Sequence, residues 1–169
     1  MINRPQPDEY PPFAAVYVGH VETTNVLELL TESRDSTFQL FSNMTDEQAM
    51  YAYAPGKWTL KQVLGHMIDT ERTFSYRAFV FSRNNIELPG FDQDIYIANN
   101  DFNSRTIQDL ALEFTAVRES TLYLYRAFSE DQLTRKGVAS GNPVSVRGLV
   151  YMTAGHELHH LKLIQERYL

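Results

Sequence analysis

Three observations predict an all-α fold, a four-helix bundle. Apolar residues recur at helical spacing in four long segments, helix-start signals stand beside those segments, and no stretch alternates convincingly at period two. Four long helices joined by loops pack as a bundle, with any ligand or metal site built from side chains on facing helices.

The elements follow in order. The opening "MINRPQPDEYPPF" carries four prolines, which deny both helix interior and sheet ladder, so residues 1–22 read as an extended lead-in. From about Thr24 to Met44 the residues Val26, Leu29, Leu30, Leu40, Phe41 and Met44 mark a first helix. "TDEQ" at Thr45–Gln48 is an S/T-x-x-E/Q capping box, "APGKW" a loop, and "TLKQ" at Thr59–Gln62 a second box. It opens a long helix to about Arg83 with Leu60, Val63, Leu64, Met67, Phe74 and Phe81 on its apolar side; Trp58 and Tyr76 read as core residues. Residues 84–104 form a long connection rich in Asn, Asp and aromatics, and a loop of that length in a compact domain is often functional. A third helix spans about Thr106 to Phe128, "SEDQ" caps again, "GVASGNP" is a loop, and Ser145 caps a fourth helix running to the end. Helix, "TDEQ", loop, "TLKQVLGH" is thus echoed by helix, "SEDQ", loop, "SVRGLVYMTAGH", a weak internal repeat.

At 169 residues the chain is read as one domain, and 43% apolar with 21% charged residues is globular rather than disordered composition. A net charge of −6 without any Lys/Arg run argues against nucleic acid as a partner. Without cysteine there are no disulfides, thiolate metal sites or protein thiol nucleophile, so any metal must be held by His, carboxylate or water. Neither a secretory signal nor a membrane span is recognisable, and the expected location is the cytoplasm.

Three of the five histidines crowd into "AGHELHHLKLI". At about 100° per residue His156 and His160 lie about 40° apart on one face, beside Leu149, Met152 and Leu163, while His159 falls toward the edge of that face. An i, i+4 pair can bind one ion, but it can also be two core-edge histidines satisfied by hydrogen bonds. The third member is His66 in "VLGHMIDTE", on the corresponding helix of the repeat, seven residues past its cap as His156 is eleven past its own. His20 has no partner spacing and reads as a surface or packing residue. His156–His160 also fits H-E-x-x-H, the zinc-protease pattern, but Leu163 stands where the extended pattern needs Gly and Glu166 where it needs the third His. The protease reading is rejected.

The stretches "RPQPDEY", "YAPGKWTLKQVLGHMIDTERTFSYRAF", "LPGFDQDIY", "ASGNPVSVRGL" and "AGHELHHLKLIQERYL" resemble the DinB/YfiT-like superfamily of metal-dependent enzymes over nearly the whole chain. The resemblance implies a four-helix bundle of up-down-down-up topology whose three histidines, here His66, His156 and His160, hold a divalent ion, zinc or nickel. It also implies chemistry related to S-transferases that use low-molecular-weight thiols such as bacillithiol or mycothiol.

A Lewis-acidic ion on three imidazoles acidifies a bound thiol or a bound water. The first expectation is therefore a thiol S-transferase with the thiol as cosubstrate. The alternatives are a hydrolase of small esters or amides, and a non-enzymatic metal- or ligand-binding protein. Glu71 and Glu157 are candidates to orient imidazole N–H groups, or else solvated helix glutamates. Asp92 and Asp94 are candidates for lid or substrate contacts, or else loop caps. The expected partner is a small-molecule substrate, with a homodimer left open.

Overall fold

The structure, a computed structural model, describes residues 1–169. Four long helices form the body: α2 (Val26–Ser42), α4 (Leu60–Phe81), α6 (Ile107–Arg126) and α8 (Val146–Arg167). The short helix α1 (Ala15–His20) precedes them, and α3 (Asp46–Ala49), α5 (Gln93–Ala98) and α7 (Glu130–Thr134) lie in the connections. The expected caps are the observed ones. Thr59 accepts from the Gln62 N–H while the Gln62 side chain accepts from the Thr59 N–H, and Thr45/Gln48 and Ser129/Gln132 repeat the arrangement. Ser145 accepts from the Gly148 N–H and starts α8.

End-to-end contacts fix the directions. The N-terminus of α6 meets the C-terminal end of α2, where the Ile107 N–H donates to Asp46 and Gln108 to the Met44 carbonyl; at the far end Arg126 reaches Thr31. α2 and α6 are therefore antiparallel. Lys61 bonds the Arg105 carbonyl and Glu71 pairs with Arg118, so α4 and α6 run parallel. His66 meets His156 while Tyr168 bonds the Trp58 carbonyl, which makes α4 and α8 antiparallel. The sum is up-down-down-up, the topology expected.

The apolar core is in two parts. One, with Leu30, Phe74, Phe81, Leu122, Tyr125, Leu149 and Met152, fills the end where α8 begins; the other, with Phe41, Leu60, Leu64, Ile68, Phe114 and Ile164, fills the opposite end. Between them every long helix contributes buried polar residues: Ser33 and Thr37 from α2, Thr70 and Glu71 from α4, Arg118 from α6, and His156, Glu157 and His160 from α8. A polar layer across the middle of a bundle is costly unless its members satisfy one another.

Three expectations about the connections need correction. The "GVASGNP" segment is a hairpin, β2 (Lys136–Ala139) and β3 (Asn142–Ser145), turned by Ser140 and Gly141 with both φ positive, as a two-residue type I′ turn requires. β1 (Glu87–Leu88) adds to β2 in parallel, so a small three-stranded sheet does exist. Its strands are two to four residues long, too short for alternation to register. The lead-in is not wholly extended, because its prolines open two 3-10 turns at Pro7 and Pro12 and α1 follows. The 84–104 connection likewise carries β1, α5 and a 3-10 turn. Tyr76, read as core, is 56% exposed, whereas Trp58 is half-buried against the core.

Candidate metal centre

The centre is made where α4 and α8 cross. His66, His156 and His160 are all buried, and each presents a ring nitrogen within 4.8 Å of the others. His66 Nε2 lies 3.0 Å from His156 Nε2, which is itself 3.1 Å from His160 Nε2. His66 is held from behind by Thr70, whose Oγ1 sits 3.4 Å from Nδ1, and by the Trp58 ring 5.0 Å away. Tyr17 on α1 packs edge-on against His156 at 5.3 Å. α1 comes this close because Gly155 offers no side chain: a Cβ there would sit 1.9 Å from the Tyr17 carbonyl oxygen.

Hydrogen bonding does not account for this convergence. A neutral imidazole nitrogen carries either one hydrogen or one lone pair. His156 Nε2 therefore cannot make good hydrogen bonds to both neighbours at once, and His160 Nδ1 is buried without any partner. Burial pushes His66 down to about 4 and His160 to about 3, with the nearby imidazoles adding to the effect, and drives His156 well below its ordinary value. At neutral pH the three rings are uncharged and their lone pairs are free. Bonds of about 2.0–2.1 Å to one ion separate adjacent ligand nitrogens by roughly 3 Å, so the donor set fits a divalent transition metal.

His159 points elsewhere. Half-buried, it stacks near Tyr17 and His20, with ring centroids at 5.4 and 5.9 Å, and belongs to the α1 contact. His20, expected as a surface or packing residue, packs there.

The two glutamates do not reach the imidazoles. Both are buried, which removes the solvated reading, and both are bound to Arg118, itself 0% exposed. Arg118 Nε and Nη2 grip Glu71 at 2.8 and 2.7 Å, while Nη1 meets Glu157 at 2.9 Å, Ser33 at 3.1 Å and the Leu30 carbonyl at 3.0 Å. Ser33 and Thr37 hydroxyls donate to Glu157, each at 2.7 Å. Burial opposes the Arg118 charge, but its two carboxylates outweigh that and hold its pKa above the ordinary value. Sequence reading passed over Arg118. The signal was available: it stands on the stripe Leu110, Phe114, Arg118, Leu122, Tyr125, where only apolar residues are expected.

A cleft of about 600 Å³ opens onto His66 and His156 between Tyr17, Phe74 and Phe91. A second recess of about 280 Å³ reaches His160 from the Trp58 and Tyr168 side. Asp92 sits on the rim of the first, its carboxylate spent on capping α5 through the Asp94 and Ile95 N–H groups; Asp94 lines the second. No helix is long and apolar enough to cross a membrane.

The family model of the DinB superfamily matches residues 29–164, most of the chain and all three histidines. The chain belongs to the DinB superfamily. One relative is a protein of Oceanobacillus iheyensis, provisionally named a metal-dependent hydrolase, 25% identical over 126 residues that cover 73% of this chain and 72% of its own. Among solved structures, YfiT from Bacillus subtilis superposes with a TM-score of 0.78 at 18% identity, covering 94% of this chain and 91% of that one. It is described as a probable metal-dependent hydrolase with an unusual four-helix bundle topology. At that identity the likeness shows the DinB fold alone.

Proposed function

We propose that this DinB protein is a metal-dependent hydrolase of small esters or amides, with His66, His156 and His160 holding one zinc or nickel ion through Nε2. The observation that carries the proposal is three neutral, buried imidazoles converging within 4.8 Å beside a cleft large enough for a small ligand. When bound, a divalent ion supplies Lewis acidity that polarises a carbonyl and acidifies water. The chain itself keeps the imidazoles neutral by burial, fixes the His66 ring through Thr70 and Trp58, and walls the reacting group with Tyr17 and Phe74. Both compared proteins are named as hydrolases, which favours hydrolysis over the thiol transfer expected first.

The test is purified protein analysed for metal, then assayed on p-nitrophenyl esters and anilides without thiol, and on electrophiles with a panel of thiols. Thiol-free turnover that disappears with the metal in His66→Ala is the expected result. Turnover only with added thiol restores the transferase. Stoichiometric metal without turnover of any substrate leaves a binding protein.

A further inference from the structure

The cleft has a second polar end. Arg77 on α4 lines it and is only 7% exposed, yet no carboxylate lies within 4.0 Å of its guanidinium. Its hydrogen bonds all leave from Nη2, to the Pro89 carbonyl at 2.9 Å and the Ser140 hydroxyl at 3.4 Å. Nε and Nη1 have no protein acceptor, although a guanidinium carries five N–H donors. Arg118, by contrast, is fully buried and enclosed by two carboxylates, whereas Arg77 is walled in by protein and open only to the cleft. A buried cation without a counter-charge is costly, and burial pulls the Arg77 pKa below its ordinary value.

Helix geometry relates Arg77 to the metal centre. His66, Thr70, Phe74 and Arg77 stand at i, i+4, i+8 and i+11, all within about 80° of one face, and all four line the cleft. The Cα atoms of His66 and Arg77 are about 16 Å apart along the axis; both side chains lean toward the helix N-terminus, so only the greater length of the arginine narrows that gap. The span left is on the order of 10–15 Å, floored by Phe74 and flanked by Tyr17 and Phe91. The sheet completes the far end. The hairpin turn delivers Ser140, and Gly90 lets the 89–91 segment pass close to it, since a Cβ there would sit 3.1 Å from Ser140 Oγ.

We infer that Arg77, with the Ser140 hydroxyl, is a carboxylate-binding subsite, and that the substrates are elongated acyl compounds with a free carboxylate at the end remote from the reacting bond. The inference rests on the hydrolase reading for which bond reacts, but not for where the carboxylate binds. Arg77 is a specificity residue: it pairs with the substrate's charge, while the apolar middle of the substrate lies on Phe74.

Two measurements separate the two readings. In the first, zinc-loaded protein is titrated calorimetrically with monohydroxamates of adipic and suberic acid and with their methyl esters, so that the metal-seeking group is constant and only the tail charge changes. The acid should bind at least about tenfold tighter than its ester. That ratio should fall to near one in Arg77→Met and be partly kept in Arg77→Lys, with circular dichroism showing both variants folded. In the second, p-nitrophenyl hemiadipate and its methyl ester are compared for kcat/KM. Arg77→Met should lose activity on the acid and keep it on the methyl ester. A wild-type preference for the acid tail without ester turnover keeps the subsite and removes the hydrolase. Ester turnover without tail preference, or a preference unchanged in Arg77→Met, overturns the subsite and leaves the hydrolase standing.

Discussion

Replacing Arg118 by Met should be among the most damaging single substitutions in this chain, and the geometry says by how much. The cluster is one cation and two carboxylates, with side-chain exposures of 0% for Arg118, 4% for Glu71 and 3% for Glu157. Met matches the length of the Arg stem but carries no donor. Glu71 would lose both of its bonds from Arg118, Glu157 would keep only Ser33 and Thr37, and the Leu30 carbonyl would lose its Arg118 donor. Two negative charges would then share a dry layer. Breaking a buried pair by removing one partner costs about 3–5 kcal/mol. For a domain of this size each kcal/mol lowers Tm by about 2–4 °C, so the fall should be on the order of 10–15 °C. Glu71→Gln is the informative contrast. It removes one of two carboxylate charges and leaves Arg118 matched by Glu157, so its cost should be clearly smaller. Urea and thermal unfolding of the metal-free proteins, followed by circular dichroism, would measure both. Arg118→Met within about 1 kcal/mol of wild type, or Glu71→Gln costing as much, would refute the account of the polar layer.

Three further outcomes are expected. Elemental analysis should find metal retained in His159→Ala but mostly lost in His156→Ala and His160→Ala, because His159 turns toward His20 and Tyr17 rather than the centre. Gly155→Ala should destabilise the fold and loosen α1, since the new Cβ meets the Tyr17 carbonyl oxygen at 1.9 Å; faster amide exchange over residues 15–20 would report it. The metal-free protein should be acid-labile: unfolded His66 takes up a proton near 6.5 but folded His66 only near 4, so stability is full above 6.5 and falls as pH drops toward 4. The loss from His66 alone is up to about 3 kcal/mol, read from unfolding midpoints between pH 8 and 4.

Much of this was legible in the sequence for identifiable reasons. The bundle follows from caps and period: Thr59 and Ser145 announce α4 and α8, and the apolar residues between them repeat every three or four positions. His66 was reachable because the two halves of the chain repeat a cap, a helix and a histidine, which places the partner of the His156–His160 pair. The hairpin and α5 were not reachable in the same way. Their elements are four to six residues long, and they exist because α4 and α8 offer a surface to dock on, a tertiary cause with no local period.

The glutamates show where local reasoning misleads. In His156-Glu157-Leu158-His159-His160 a glutamate follows the first histidine, as in a zinc protease, and that adjacency invites a catalytic role. Adjacent residues on a helix point about 100° apart, however, so a neighbour of a ligand faces a different partner. Which partner depends on what stands on the next helices: here it is Arg118, Ser33 and Thr37, while His156 faces His66 and the cleft. The one helix thus divides its polar residues between two tasks. His156 and His160 converge with His66 on a centre that wants neutral donors, and Glu157 anchors the ionic layer that lets those donors sit in the middle of a core. A protease reading needs Glu157 beside the reacting bond. Its carboxylate instead turns about 100° away from His156, with Oε2 held by Arg118 and Ser33 and Oε1 by Thr37, away from the cleft where a base would be needed.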